Sequence, residues 1–239
     1  MSKVSVCLPT FNGGQYLRAQ IGSILAQLAA DDELIISDDG STDDTFKVIN
    51  SFHDARILVL RRGGSPSLSM NVENTLRHSS GDFIFLADQD DVWCQGRLAL
   101  MVSKLDSYDL VVSDCFVTDS ELNVTHPSLF ALQNSRPGLI NNFFKNSYVG
   151  CCMAFKRSML RSILPFPKNI AMHDWWIGLI GECFYKTYYL NEQLLYYRRH
   201  ENNLSCTSKE SINSMRVKIF WRLILAYNLF LKFIAQKNR

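Results

Sequence analysis

Along the N-terminal part of the chain, short apolar runs alternate with stretches whose apolar residues recur at helical spacing. Val4 to Leu8 reads as a buried strand stopped by Pro9, and Gln15 to Leu28 as a helix carrying Leu17, Ile21, Ile24, Leu25 and Leu28. The unit repeats as strand Glu33 to Ser37, loop DDGSTDD and helix Thr45 to Phe52, then as strand Arg56 to Leu60 with a Gly-Ser-Pro loop. A helix from Ser67 to Arg77 leads into a fourth strand, Asp82 to Ala87. Alternation of this kind predicts an α/β fold with right-handed crossovers, a mostly parallel central sheet and helices on both faces.

The pattern loosens downstream. Another helix and a strand at Leu110 to Ser113 are followed by Cys115 to Pro137, which has no periodicity and reads as a surface excursion. Tyr148 to Phe155 reads as a strand, Met172 to Cys183 as a helix, and KTYYL with LLYYRRH as a pair of aromatic strands around Asn191.

Composition narrows the class. With 47% hydrophobic and 20% charged residues over 239 positions, the chain is globular and can bury a sizeable core. A formal net charge of +2 is too small to point to nucleic acid. Seven cysteines (Cys7, Cys94, Cys115, Cys151, Cys152, Cys183, Cys206) form no C-x-x-C pair and read as reduced thiols. The opening MSKVSVCLPTFN lacks the features of a signal peptide, so a cytoplasmic protein is expected and the sequons at Asn123 and Asn203 are chance matches.

The chemistry gathers at the strand ends: PTFN, SDDGSTDD, RRGG and DQDD. In open parallel sheets ligands bind in the crevice outside the carboxyl ends of the strands, so these loops should line one pocket. Asp88 and Asp90, two residues apart at a strand end, offer hard oxygens that suit Mg²⁺ or Mn²⁺ with a bound phosphate. A solvated turn, with Asp91 capping the following helix, accounts for the same residues. Asp43 or Asp44 can cap the helix after the second strand, which leaves one of Asp38 and Asp39 for a base imide or ribose hydroxyls alongside Thr10 and Asn12. No G-x-G-x-x-G and no P-loop follows the first strand. That weakens a dinucleotide site and a sugar nucleotidyltransferase, though the latter and an inactive nucleotide-sugar-binding protein stay as alternatives.

Taken in order, VSVCLPTFNGGQYL, ELIISDDGSTDDT, GDFIFLADQDDVW and MHDWW resemble the family 2 glycosyltransferases, inverting enzymes of the GT-A fold, over roughly residues 3 to 205. ADQDDVW with YRRHENNLS is most similar to bacterial enzymes that build O-antigen and capsular polysaccharides. The resemblance implies a hexose or 6-deoxyhexose donor (UDP-glucose, UDP-galactose or dTDP-rhamnose) and a polyprenyl-diphosphate-linked saccharide acceptor. It places Pro9, Thr10, Phe11, Asn12, Asp38, Asp39, Asn71 and Asp88 on the nucleotide, Asp88 and Asp90 on Mn²⁺ or Mg²⁺, and Asp174 as the base. An aspartate near its reference pKa would already be ionised at neutral pH. His173 stands where family members often have a second acid. Asp91, Arg198 and Arg199 are expected near the diphosphate or acceptor, and His200 as a third metal ligand, unless the basic residues are an exposed strand end. Trp175 stacks on a sugar or belongs to the core.

Residues 1–210 thus form the catalytic domain and 211–239 a basic C-terminal helix. From Met215 onward there are Arg216, Lys218, Arg222, Lys232, Lys237 and Arg239 and no acidic residue. On a helix, Lys218, Arg222, Asn228, Lys232 and Gln236 form one stripe beside a broad apolar face. The interrupted apolar run predicts a helix lying on an anionic inner-membrane surface rather than spanning it; docking on the core or on a second subunit is the alternative.

Overall fold

The computed structural model describes residues 2–201, 203 and 214–237. Cys206, the second sequon beyond Asn203, the side chains of Gln236 and Lys237, and Arg239 lie outside the described residues.

The first half follows the predicted alternation. Strands β1 (Val4–Thr10), β2 (Glu33–Asp38), β3 (Ile57–Arg61) and β4 (Phe83–Leu86) form a parallel block in the order β3-β2-β1-β4. All seven residues of β1 are buried. A strand covered on both faces must be apolar throughout, which is why its sequence runs continuously instead of alternating. The crossovers are α1 (Leu17–Leu25), α2 (Thr45–Asn50) and α3 (Leu68–His78), and α3 turns Val72 and Leu76 onto the sheet. Pro9 pairs with Ser37 and Thr10 with Asp38, so the polar ends of β1 and β2 finish side by side.

Beyond β4 the sheet is mixed. It continues through β5 (Val92–Trp93), β6 (Leu110–Thr118), β7 (Val124–His126), β8 (Met153–Lys156) and β9 (Thr187–Arg198), with helices α4 (Arg97–Leu105), α5 (Leu129–Gln133), α6 (Leu139–Phe144), α7 (Leu160–Ile163) and α8 (His173–Phe184). The full order is β3-β2-β1-β4-β8-β6-β9-β5, with β7 attached to β6. β8 is antiparallel to both β4 and β6, and β9 runs parallel to β6. Parallel pairing therefore dominates only the N-terminal half.

Three elements differ from the sequence reading. The stretch after Cys115 is no surface excursion at first: β6 runs on to Thr118 and buries Asp114, Cys115 and Thr118. Asp114 accepts hydrogen bonds from Ser128 Oγ (2.5 Å), the Phe130 amide (2.9 Å) and Gln193 Nε2 (2.9 Å), so buried polar contacts hide the strand's periodicity. KTYYL and LLYYRRH are one strand, β9. Its register against β6 jumps from Ser113↔Leu190 to Asp114↔Gln193, so Asn191 and Glu192 form a bulge rather than a turn. Tyr148 to Phe155 is interrupted by a 3-10 turn at Gly150–Cys152 before β8. A Cβ on Gly150 would come within 2.8 Å of His173 Nε2, so this turn packs tightly against the start of α8.

The last helix, α9 (Met215–Lys237), docks on the core through the stripe expected to be polar. Leu225 is 1% exposed, and Trp221 and Leu229 pack on the core cluster. The Arg222 guanidinium donates to Phe144 O (2.6 Å) and lies 6.0 Å over the Trp175 ring, while Lys232 Nζ donates to Leu164 O (3.3 Å). The apolar face is left outside: Phe220, Leu223, Tyr227 and Phe230 are 54–63% exposed, and Ile140 and Phe144 of α6 add 75% and 64%. Among the described residues no helix is long and apolar enough to cross a membrane.

Candidate active site

The end of β1 and the loop after β2 are laced together. Asn12, at φ 49°, accepts from the Thr42 amide (2.9 Å) and donates its own amide to Ser41 Oγ (2.8 Å). Asp38 is 1% exposed and accepts from the Gly40 and Ser41 amides (2.9 Å each) and from Ser41 Oγ. Asp39 accepts from the Ser67 amide (2.5 Å) and pairs with Arg62. The sequence reading left one of these aspartates free of structural duty; both are engaged, because a buried loop end must satisfy its amides. Asp43, not Asp44, supplies the side-chain bond at the start of α2, accepting from the Thr45 amide (3.0 Å). Pro9 is buried in β1, and Asn71, 2% exposed, donates to Thr10 O (3.1 Å) with its Oδ1 lacking a hydrogen-bond partner among the described residues.

Gln89, the middle residue of Asp88-Gln89-Asp90, joins this loop to the acidic one. Its Oε1 accepts from Thr10 Oγ1 (2.7 Å) and the Phe11 amide (2.9 Å), and its Nε2 donates to Phe11 O (3.1 Å). A Cβ on Gly13 would sit 2.3 Å from Gln89 Oε1, so the close approach needs glycine there. The effect is to fix the backbone of Phe11 while its ring stays 42% exposed. No sequence signal singles out Gln89.

The three aspartates after β4 have different surroundings. Asp88 keeps part of its surface open but is densely surrounded by protein; burial, then the charges of Asp90 and Asp174, push it up to about 7. Asp90 Oδ2 lies 2.9 Å from His200 Nε2 and accepts from Asn203 Nδ2 (2.9 Å). Asp91 is fully buried and accepts from the Arg198 amide (3.0 Å), and burial with the charges of Asp90 and Asp88 holds it well above the usual carboxylate range. It caps no helix, since α4 starts only at Arg97. Asp91 instead ties the end of β9 to the acidic loop, and this brings His200 to Asp90.

Arg198 does not reach into the crevice as a free cation. Its guanidinium donates to Asp90 O (2.7 Å) and Ser120 O and lies 4.7 Å over the Tyr16 ring. Buried carbonyls require donors, and Arg198 supplies them. Tyr16 stacks on the other ring as well, 4.7 Å from His200 at 23°, so it sets the imidazole plane. The Arg199 guanidinium donates to Tyr197 Oη (3.1 Å).

At the start of α8, Asp174 is 4% exposed and accepts from the Trp175 amide (2.5 Å). Burial outweighs its hydrogen bonds and pushes it up to about 7, in place of the ordinary aspartate expected from sequence. Its charge is felt at Asp88, which places α8 at the same crevice. His173 is buried, and desolvation lowers it to about 4, so it is neutral and cannot replace an acid. Trp175 and Trp176 belong to the core: their indole N–H groups donate to Asn142 O (2.7 Å) and Ile163 O (2.9 Å), and Trp175 is only 7% exposed. Neither offers a face for a sugar.

Residues 5–164 match the family described as glycosyl transferase family 2. A GalNAc(5)-diNAcBac-PP-undecaprenol beta-1,3-glucosyltransferase of Campylobacter jejuni is 31% identical over 226 residues, covering 91% of this chain and 71% of its own. Among solved structures, Staphylococcus aureus TarS 1–349 in complex with UDP-GlcNAc matches 95% of this chain and 66% of its own, with a TM-score of 0.73 at 15% identity. The mannosyltransferase PcManGT from Pyrobaculum calidifontis, in complex with GDP-Man and Mn²⁺, matches the whole chain and 65% of its own, with a TM-score of 0.64 at 19% identity. The chain spans between 40% and 72% of the length of three curated relatives it matches. These likenesses show the GT-A fold, and with the family match over more than half of its length the chain belongs to glycosyl transferase family 2.

Proposed function

We propose that the protein is an inverting glycosyltransferase that moves one hexose or 6-deoxyhexose from a nucleoside diphosphate sugar to a polyprenyl-diphosphate-linked saccharide. The observation that carries this reading is one crevice holding the Asp90–His200 pair, Asp88 and a buried Asp174, outside the carboxyl ends of β1, β2 and β4. Asp174, poised near neutrality, takes the proton of the acceptor hydroxyl as that oxygen attacks the anomeric carbon. Phe11 offers its exposed ring to the base, on a backbone held by Gln89, with Pro9, Thr10, Asn12, Asp38, Asp39 and Asn71 around the nucleoside.

The site fits a divalent cation. Asp88, Asp90 and Asp91 concentrate negative charge that burial makes costly, and His200 adds a nitrogen beside Asp90. Asp88, Asp90 and His200 would hold Mn²⁺ or Mg²⁺, which when bound supplies Lewis-acid stabilisation to the leaving diphosphate. Asp91 and Arg198 act by holding this loop to β9, and Arg199, whose guanidinium is positioned by Tyr197, faces the diphosphate in this reading.

In this reading the donor is UDP-glucose, UDP-galactose or dTDP-rhamnose. The name of the Campylobacter relative supports glucose and an undecaprenyl-diphosphate acceptor. The apolar outer face of α9 supports attachment to the cytoplasmic surface of the inner membrane, where such an acceptor resides. In this reading residues 1–210 are catalytic and 211–239 attach the enzyme. The test is to incubate the protein with each donor, Mn²⁺ and a short polyprenyl-diphosphate saccharide, and weigh the product. One added hexosyl or deoxyhexosyl mass is expected. No added mass from any donor that binds would overturn the proposal.

A further inference from the structure

A second group of ligands lies beside the Asp90–His200 pair. Asp88, Asp91 and Cys151 each present one ligand atom within 4.8 Å of the other two. The 3-10 turn before β8 puts Cys151 there, close enough for its thiol to feel the charge of both carboxylates. Asp91 Oδ1 is taken by the Arg198 amide, but its Oδ2, in a residue 0% exposed, has no hydrogen-bond partner among the described residues. A buried carboxylate oxygen left unpaired is costly unless something binds it.

Arg97 adds an independent sign. Its side chain is fully buried, donates to Ser113 Oγ (3.1 Å) and Cys151 O (2.6 Å), and has no ion-pair partner among the described residues. Its charge is felt by Asp91 and by the thiols of Cys115, Cys151 and Cys152. Bound to a dication, two carboxylates and a thiolate would carry three negative charges, which the cation and Arg97 would balance.

We propose that Asp88, Asp91 and Cys151 form a binding site for a thiophilic divalent cation, Zn²⁺ or Cd²⁺. Mixed oxygen and sulfur ligands suit such ions, whereas Mg²⁺ and Mn²⁺ prefer oxygen alone. Metal–ligand bonds of about 2.3 Å to sulfur and 2.1 Å to oxygen place tetrahedral ligand atoms about 3.6 Å apart. Asp88, the most open of the three, gives the route of entry from the crevice. Because Asp88 is shared, a soft cation here would compete with the hard cation assigned to Asp88 and Asp90. The site itself does not depend on the glycosyltransfer reading.

The experiment is a Cd²⁺ titration of the chelator-treated full chain, following the ultraviolet thiolate-to-cadmium band. A saturable band is expected, with affinity at least about tenfold lower and the band lost in Cys151→Ser, but kept in Cys183→Ser, whose thiol lies in the groove beside α9. Equal affinity and band in Cys151→Ser would overturn the proposal. Since Cys151 is fully buried, circular dichroism checks that the variant folds. If it does not, cadmium NMR on the wild-type chain decides: a shift of one sulfur among oxygens supports the site, and an all-oxygen shift or no bound signal overturns it.

Discussion

Replacing Asp174 by asparagine removes a charge but keeps an acceptor for the Trp175 amide, so the variant separates the carboxylate's chemical role from its structural one. The folded protein holds this carboxyl at about 7 against an ordinary 3.8. The raised value means the stability it allows is fully present below the unfolded pKa and is lost as pH rises through about 7. Above that, the folded state bears a cost of up to about 4 kcal/mol for a buried charge. Urea unfolding of chelator-treated protein at pH ~8 should therefore find Asp174→Asn more stable than the parent by up to that amount, with the difference vanishing near pH ~4. The same variant should lose about 10²-fold or more in transfer while nucleotide affinity stays unchanged. In the parent, the rate should rise with pH through the base's pKa, and added Mn²⁺ should move that inflection down because a nearby positive charge favours the carboxylate. A variant no more stable than the parent at high pH, or one with substantial turnover, would refute the assignment.

His173 predicts the opposite slope. Desolvation lowers it from 6.5 to about 4, so its contribution is fully present above the unfolded pKa and is lost as pH falls through about 4. His173→Leu should remove an acid-side loss of up to about 3 kcal/mol, read by urea unfolding of variant against parent. Gln89→Ala removes three hydrogen bonds to Thr10 and Phe11. It should weaken UDP or dTDP binding roughly tenfold in calorimetry, the worth of about one net hydrogen bond, since the three bonds act on binding only by holding the Phe11 backbone in place. Leu223→Lys with Phe230→Lys places charge on the exposed face of α9 and should reduce flotation with anionic vesicles by about tenfold or more. Unchanged flotation would assign that face to a protein partner.

The strand-end loops were legible because each strand is a continuous apolar run broken by turn residues, a signal that survives without side-chain contacts. Asp88 and Asp90 could be named for the same reason, as polar residues at a predictable strand end, whereas Asp174 and His200 entered only through the resemblance to the family. What stayed hidden depends on long-range contacts. Gln89 reads as a spacer until its amide is seen gripping Phe11, and Tyr16 as a helix-start aromatic until it lies between Arg198 and His200. Asp91 reads as a helix cap until its partner is seen to be a backbone amide 107 residues away. Which face of α9 meets the core was not legible for a physical reason: a stripe of Arg222, Asn228 and Lys232 gives no sign of packing, yet these side chains satisfy carbonyls while Leu225 packs beneath them. The shift of Asp174 follows from burial, which spacing alone does not report.

The central claim is a single displacement, with Asp174 as base and the diphosphate departing from the opposite side of the sugar. Proton NMR of the newly formed linkage, made from a nucleotide sugar of known anomeric configuration, tests it most directly. The account predicts a product whose anomeric configuration is opposite to the donor's; a retained configuration would contradict it.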